Sequence, residues 1–454
     1  MSVRKDLPPS PFAGLGGTLD TGLTRGLARI TNTAVGPYQS AVVRIGFSLT
    51  WLLFLLREWP HRAELYGPDG VWTWGMAQRL MADNGTGAFS VLMWTDSHLW
   101  FEVVYAGSII ASLLLLLGWR TRTSSLLFMV GVLSLQNRSI FMGDGGDNVI
   151  HLMAIYLVLT RCGQVWSLDE RRADRLRERT QDRARDQAPE RAPKPDPDLT
   201  GVVLWSLLGA ALIVVTLLGK LGQFWGPAFW GFWLAQAAWW AVRRYAAGEP
   251  RKVLDIIANL VHNGGMLVIV VEVCLIYATA GWYKIQGSRW QDGTALYYPL
   301  HLDDFTPWPA LSHALAGAGL IVMAITYGTV IVQVAFPFTL FNRRVKNVLL
   351  IAMIIEHASI AIVLGLPFFS LAMIAADAVF LPTNFLRWAG SRIAGLVPNA
   401  LRGQAGPRTG DPRDQDQDQD QDQVRELGTT IGRPATEPQL AHGETGGAGD
   451  GYRV

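Results

Sequence analysis

The sequence has little charge and almost no cysteine. Only 17% of its 454 residues are Asp, Glu, Lys or Arg, and the formal net charge is +2. So small and balanced a charge argues against nucleic acid as a general partner. The two cysteines, Cys162 and Cys274, are too few for a disulfide framework. No Cys/His pattern typical of a metal site occurs, and the acidic turn at 144–147 does not match an EF-hand loop, so we expect no metal site.

Three segments also lack the long apolar runs found elsewhere. Residues 1–38 are rich in Pro, Gly and Thr and have no short apolar core before a cleavage site, so we expect a cytoplasmic N-terminal segment and not a signal peptide. Residues 171–199 alternate acids with arginines, which is typical of a short helix leading into a charged cytoplasmic linker. Residues 387–454, with alternating Gln and Asp at 414–423, cannot bury enough apolar surface to fold and are predicted to be a disordered cytoplasmic tail.

The rest of the chain is strongly apolar, and half of all residues are hydrophobic. Apolar runs lie near 41–56, 100–118, 123–136, 148–160, 201–219, 226–242, 264–282, 311–336, 346–365 and 368–383. Several are shorter than the roughly 20 residues that a straight membrane span needs. No run alternates like a barrel strand. The sequence therefore predicts an all-α, polytopic transmembrane bundle of eight to ten spans over residues 39–386.

Basic residues in the connections predict the orientation of this bundle. Short loops rich in Lys and Arg stay on the cytoplasmic side of a membrane. Such residues cluster before the first run and after the second, fourth, sixth and eighth runs. Both termini are therefore predicted to be cytoplasmic, with the lipid bilayer as the main partner. The loops 57–99, 137–147 and 283–310 then lie outside, where we expect them to be structured.

The outer segment after the run at 264–282 is the first candidate site. It contains Lys284, Arg289, Trp290, Asp292, Tyr297, Tyr298, His301, Asp303 and Asp304. Unlike arginine, a buried lysine can lose its charge and act as a base. The structural alternative is an anchor at the end of a membrane helix, with Lys284 paired to Asp292.

Ionisable residues elsewhere in the membrane domain are further candidates. Asp147 and His151 lie where an Asp-Gly-Gly-Asp turn enters a helix, and a carboxylate there can simply cap the helix. Glu356 and His357 are neighbours within an apolar run and point to different sides of it. Glu272 and Asp377 also lie within runs. Such groups are costly in a membrane unless paired, so they form either a stabilising network or a proton path or ligand site.

Four segments, taken in order, resemble one family. They are RIGFSLTWLLFLLREWPHRAELYGPDG (44–70), NRSIFMGDGGDNVIHLMAIYLVLTRCGQVWSLD (137–169), WYKIQGSRWQDGTALYY (282–298) and EHASIAIVLGLPFFSLAMIA (356–375). Together they resemble the HTTM domain, a family of bacterial membrane proteins similar to the transmembrane part of vitamin K-dependent gamma-carboxylase. The resemblance covers residues 40–385, except for about 171–262.

The resemblance implies a role for one lysine. The carboxylase has an Ala-Gly-x-x-Lys segment followed closely by Trp and Gly, and its lysine is the base that deprotonates the quinol. The matching residues here are Ala280, Gly281, Lys284, Trp290 and Gly293. Lys284 would then be the catalytic base and a quinol such as menaquinol the cofactor. The carboxylase has a histidine where this chain has Gly146 and Asp147, which is a departure from the family pattern.

The candidates for the quinone pocket are the polar and aromatic residues of these segments. They are Trp290, Asp292, Tyr297, Tyr298, Asp147, His151, Glu356 and His357.

Three functions remain open at this stage. The first is a carboxylase-like lyase or quinone-dependent oxidoreductase that uses Lys284. The second is a non-catalytic factor for the maturation, export or immunity of a secreted peptide, similar to the sporulation-delaying factors of the same family. The third is a transporter, in which Glu272, Glu356 and Asp377 would line a cavity at the middle of the membrane.

Overall fold

A computed structural model of the chain describes residues 15–84, 88–186, 198–246 and 248–396. These residues form helices and connections, and no β-strand occurs among them. The described α-helices are α1 (Leu15–Asn32), α2 (Pro37–Glu58), α3 (Arg62–Leu65), α4 (Trp74–Asn84), α5 (His98–Leu117), α6 (Thr121–Arg138), α7 (Gly145–Leu157), α8 (Leu168–Asp186), α9 (Leu199–Leu217), α10 (Trp225–Tyr245), α11 (Glu249–Gln286), α12 (Ser288–Gln291), α13 (Pro309–Ala316), α14 (Gly319–Ala335), α15 (Arg343–Val363), α16 (Pro367–Asp377) and α17 (Thr383–Leu396). The prediction of an all-α chain is confirmed.

Six helical segments are long and apolar enough, by length and composition, to cross a membrane. They are Pro37–Leu65, His98–Leu117, Leu199–Leu217, Glu249–Gln286, Gly319–Thr339 and Arg343–Val363. These segments identify the chain as a membrane protein. Each of the ten apolar runs is largely helical, and the run at 311–336 is divided between α13 and α14. The runs at 148–160 and 368–383 give α7 and α16, with 13 and 11 residues, which are packed among the longer helices.

Helix α11 is longer than the apolar run that predicted it. It has 38 residues, about 57 Å at the rise of an α-helix, and exceeds the ~30 Å of bilayer hydrocarbon. Its polar first part is stabilised by the segment around α1. Asn259 and Asn263 donate to the carbonyls of Thr31 and Ile30, and His262 contacts the carbonyl of Val35. These bonds explain why a helix continues where the apolar pattern ends.

The predicted cytoplasmic segments are only partly described. Helix α8 covers the first part of the 171–199 linker, and 187–197 lie outside the described residues. Helix α17 continues ten residues past 386, because Phe385, Trp388 and Ile393 extend an apolar helical pattern. Contacts divide the chain into a unit of residues 1–388 and a second unit from 389. The predicted tail beyond 396 lies outside the described part of the chain.

The core of the first unit is formed mainly by α2, α5, α6, α7 and α16. Trp51, Tyr105 and Phe128 are among its largest fully buried side chains. Small residues allow the helix backbones to approach closely, as is common between membrane helices. A Cβ atom on Gly46 of α2 would lie 2.5 Å from the Cβ of Ala375 in α16. This close contact fixes the distance between α2 and α16.

A single methyl group at this contact should destabilise the bundle. We expect Gly46→Ala to lower the free energy of unfolding by about 1–3 kcal/mol, because the new methyl overlaps Ala375 and the helices must separate. Gly107→Ala on α5 is the matched control, since a Cβ there meets no atom within 4 Å. The measurement is the thermal midpoint of the purified protein in one detergent. Equal midpoints for the two variants would contradict the close packing.

Asp198 attaches the start of α9 to the N-terminal ends of α6 and α8. Its carboxylate accepts hydrogen bonds from Arg120 and from Arg172, and also from the backbone N–H of Gly201. The Arg120 bond is the largest cause that lowers the pKa of Asp198 below its usual range. Because the folded pKa is below the unfolded value of about 3.9, the pair stabilises the fold above that pH, and the contribution is lost as the pH falls further.

We therefore predict a pH-dependent effect of Asp198→Asn. Asn still caps the helix but lacks the charge, so the free energy of unfolding should fall by about 0.5–1 kcal/mol at pH 7. The effect is small because the ion pair is partly exposed to solvent. The difference from wild type should shrink as the pH falls below about 4. Thermal midpoints of both proteins across this range provide the measurement. A constant difference at every pH would mean that charge is not the cause.

Candidate functional site

One face of α11 carries the residues that organise the site. Tyr277 and Lys284 are seven residues apart, which is within about 20° of two full turns, so they share a side of the helix. Gly281 lies between them on the same side and is buried. A Cβ there would lie 2.5 Å from Cγ2 of Val334. Glycine at 281 therefore lets α14 pack closely against α11 and brings Gln333 beside Lys284.

Lys284 is linked through Gln333 to a carboxylate on a third helix. The Lys284 ammonium donates to Oε1 of Gln333, and Nε2 of Gln333 donates to Oε1 of Glu356 at 2.6 Å. Gln333 is buried, whereas Lys284 and Glu356 are partly buried. The amide thus connects a cation on α11 with an acid on α15. An amide can do this because its oxygen accepts and its nitrogen donates.

Trp290 closes one side of this group. The Lys284 Nζ atom lies 5.1 Å from the centre of the Trp290 ring, within the range of a cation–π interaction. Gly287 separates α11 from α12, and a Cβ there would lie 3.0 Å from Cδ1 of Trp290. The structure therefore brings together two of the predicted pocket residues, Trp290 and Glu356, with Lys284.

The other predicted residues of this segment form a separate, exposed cluster. Asp292 accepts from the hydroxyl of Thr294 and lies 3.6 Å from Arg289, so the pairing with Lys284 considered from the sequence is not the one formed. The Thr294 hydrogen bond lowers the pKa of Asp292. Arg289 lies 4.7 Å from the ring centre of Tyr298. Asp292 bonds to residues close to it in the sequence because it comes directly before a tight turn at Gly293, whose φ is +75°.

Tyr297 completes the exposed cluster. Its ring is 4.1 Å from that of His301 and 5.8 Å from that of Tyr298. Tyr297 and Tyr298 are each more than two-fifths exposed. Both tyrosines thus lie on the surface after α12, beside the group formed by Lys284 and not within it.

His357 points away from Glu356 into the interior of the bundle. The Tyr277 hydroxyl donates to Oδ1 of Asp377 at 2.8 Å and lies 3.1 Å from Nε2 of His357. All three side chains are at most 2% exposed. We call Tyr277, His357 and Asp377 the buried triad. Sequence reasoning missed Tyr277, although its spacing of seven from Lys284 could have indicated it.

Glu272 lies apart from these groups. It bonds to Tyr156 of α7, and it is on a different side of α11 from Lys284, as the helical spacing predicts. This position gives no support to a shared cavity of Glu272, Glu356 and Asp377, the arrangement expected for a transporter.

Asp147 and His151 have structural partners at the start of α7. Asp144 accepts from the backbone N–H groups of Gly146 and Asp147, and the Asp147 carboxylate accepts from the N–H of Asp144 at 3.0 Å. His151 Nδ1 lies 2.9 Å from Oε1 of Gln136. The capping role considered for Asp147 is therefore the arrangement that the structure shows.

Arg138 connects two loops by hydrogen bonds, and the sequence did not single it out. It is 2% exposed and donates to the carbonyls of Gly67 and Trp72, each at 3.0 Å. Trp72 also packs against Phe141 at 4.9 Å. Arg138 thus joins the 65–74 segment to the loop after α6, and it lines a small pocket there with Tyr66.

The Trp-Ser-Leu-Asp segment at 166–169 makes structural bonds. Asp169 accepts from the backbone N–H groups of Arg120 and Thr121, both at 2.8 Å, and so caps α6. The carbonyl of Trp166 accepts from Arg44 at 2.7 Å. The bonds of this motif connect the ends of helices. The motif is distant from Lys284 in the sequence.

No family model, curated protein or solved structure matches this chain. The resemblance to the HTTM domain therefore depends on the four sequence segments alone.

Removing the amide between Lys284 and Glu356 should destabilise the protein. We expect Gln333→Leu to lower the free energy of unfolding by about 1–3 kcal/mol, because the partly buried ends of Lys284 and Glu356 lose their shared partner. Ile331→Leu, at an exposed position on the same helix, should change it by less than about 0.5 kcal/mol. Thermal midpoints in detergent test this. An unchanged midpoint for Gln333→Leu would show that the amide bonds contribute little.

Proposed function

We propose that this chain is an HTTM-type protein of the bacterial plasma membrane in which Lys284 acts as a base on a lipid quinol. The observation that carries the proposal is the group formed by Lys284, Gln333, Glu356 and Trp290 at the end of α11. An anchoring lysine needs only access to water. This one is partly buried and bonded to a buried amide, with a carboxylate beyond.

The chemical roles follow from the bonds. A neutral amine at Lys284 can take a proton from a hydroxyl placed beside it and become an ammonium. Gln333 Oε1 accepts from that ammonium, and the Glu356 charge behind the amide stabilises it. A quinol, when bound, supplies the acidic hydroxyl and the reducing equivalents. The apolar helix faces around the group keep water from it.

Trp290 and the exposed tyrosines support the location of this site. Aromatic residues favour the membrane–water interface, where a quinol ring can enter from the bilayer. Trp290 lies over the amine, and Tyr297 and Tyr298 lie on the adjoining surface. We assign this surface to the outer side, with both termini cytoplasmic, because the Lys and Arg clusters alternate along the chain.

The proposed membrane domain spans residues 39–386 with eight to ten crossings. The six long apolar segments account for six of them. Helix α10 has 21 residues and α6 has 18, so these are the next candidates. Helices α7 and α16 are too short to cross alone unless tilted or joined to polar flanks.

A second candidate is a non-catalytic factor that binds a secreted peptide at the outer loops. The observation that favours it is the buried Arg138, which fastens Gly67 and Trp72 beside a small pocket. Such a rigid loop surface can bind a partner without any chemistry at Lys284.

Substituting the lysine distinguishes the two candidates. We expect wild-type protein to retain a quinone through purification and to bind added menaquinol. Lys284→Ala should bind it at least about tenfold more weakly or handle it differently, since a charge-assisted hydrogen bond is worth about 1.5–3 kcal/mol. Mass spectrometry of co-extracted lipid and equilibrium binding are the measurements. Lys220→Ala is the matched control, because Lys220 is an exposed lysine bonded to a backbone carbonyl near α9.

The opposite result would favour the second candidate. If neither protein holds a quinone and Lys284→Ala is fully functional in cells, Lys284 is an anchor. Loss of function in Arg138→Gln under the same conditions would then place the activity at the outer loops.

A further inference from the structure

The buried triad is a hydrogen-bonded chain with two free ends. Its three residues come from three helices: Tyr277 from α11, His357 from α15 and Asp377 from α16. Tyr277 has one hydroxyl proton and donates it to Asp377, so His357 Nε2 must be the donor to the Tyr277 oxygen. The chain therefore runs in one direction, from His357 through Tyr277 to Asp377.

The atoms at the two ends of this chain have no hydrogen-bond partner in the structure. They are Nδ1 of His357 and Oδ2 of Asp377, and both are buried. An unpaired buried polar atom costs free energy, about 1–3 kcal/mol each, so a purely structural network would pair them. Here the unpaired Nδ1 of His357 is an atom at which a proton could enter, and the Asp377 carboxylate, whose Oδ2 is unpaired, could hold it.

We infer that Tyr277, His357 and Asp377 form a proton-transfer chain that delivers a proton to Asp377 in the interior of the membrane bundle. A proton binds at Nδ1 of His357, the Nε2 proton moves to the Tyr277 oxygen, and the Tyr277 proton moves to Oδ1 of Asp377. His357 ends as the other neutral tautomer, Tyr277 is unchanged, and Asp377 becomes a neutral carboxylic acid. One proton enters and one negative charge is removed.

The surroundings of the triad fit this direction. Asp377 is 0% exposed, and its Oδ2 atom has no hydrogen-bond partner among the described residues, so a charged carboxylate is poorly stabilised there. A neutral carboxyl is also the cheaper form in a bundle without water.

Other helices packed against α16 carry ionisable groups as well. Helix α2 places Arg57 against Phe368, at 4.3 Å from the ring centre. Helix α7 carries Asp147 and His151, which are bonded at its first turns. The Phe369 ring lies 5.7 Å from that of His357, at the edge of the triad.

The inference does not rest on the quinol chemistry proposed for Lys284. It concerns protonation of Asp377, which can be measured without any substrate. Failure of one proposal therefore leaves the other standing.

Infrared spectroscopy of the full-length protein tests the chain directly. A protonated carboxyl gives a carbonyl-stretch band distinct from that of a carboxylate. We expect a rapid drop in pH to produce such a band in wild type, and Asp377→Asn to lack it. Glu356→Gln removes the neighbouring carboxyl from the spectrum and should retain the Asp377 band.

The rate at which the band appears tests the pathway. Tyr277→Phe keeps the ring but removes the hydroxyl. It should slow the appearance of the band by about a hundredfold or more, the lower end of the gain from a positioned proton carrier. In His357→Gln the side-chain amide can keep a hydrogen bond to Tyr277 at the position of Nε2 but cannot pass a proton. This variant should slow the appearance of the band by a similar factor. Tyr283→Phe, an exposed tyrosine on the same helix, is the matched control and should leave the rate unchanged.

Two results would overturn the inference. One is the absence of a protonated Asp377 band in wild type at every pH where the protein remains folded. The other is an unchanged rate in both Tyr277→Phe and His357→Gln, which would make the triad a structural network. If Asp377→Asn does not fold, the comparison of Tyr277→Phe with Tyr283→Phe decides, since both keep the aromatic ring.

Discussion

Polar side chains inside an apolar helix bundle have no water to bind, and this constraint explains most of the specific contacts in the protein. The helix ends are held by capping carboxylates, such as Asp144 at α7 and Asp169 at α6. Buried cations are held by backbone carbonyls, as Arg138 is. Some deeper polar groups, such as Gln333 and Tyr277, are bonded to residues of other helices. The bundle is therefore specified by hydrogen bonds as well as by packing.

One face of α11 carries two polar groups, and the close approach of α11 and α14 at Gly281 makes the first of them possible. Lys284 reaches Gln333 and Glu356 toward one end of α11. Two turns earlier, Tyr277 reaches His357 and Asp377. Glu356 belongs to the first group and His357 to the second. Because these residues are adjacent on α15, that helix connects the two groups. In the two proposals made above, the first group supplies a base near the surface and the second a proton acceptor in the interior.

Much of the candidate site could be predicted from the sequence because it depends on local order. Lys284 and Trp290 are six residues apart around a glycine turn, and their contact follows from that spacing. Asp147 at a helix start is a cap by the same local rule. The partners of Gln333 and Tyr277 could not be predicted in this way, although the spacing of Tyr277 from Lys284 places both on one side of the helix. Their roles depend on partners 23 to 100 positions away in the chain.

The sequence by itself determined that this is an all-helical membrane protein, because apolar content, run length and the absence of alternation depend only on composition and order. It also determined that Lys284 lies at the end of a helix beside aromatic residues. Only the tertiary structure decided the partners of Lys284, since Asp292 is nearer in sequence but is bonded to Thr294. The physical reason is that a polar side chain beside a tight turn bonds first to the polar atoms of that turn. A buried side chain must instead use whatever polar atom the packed helices bring within reach.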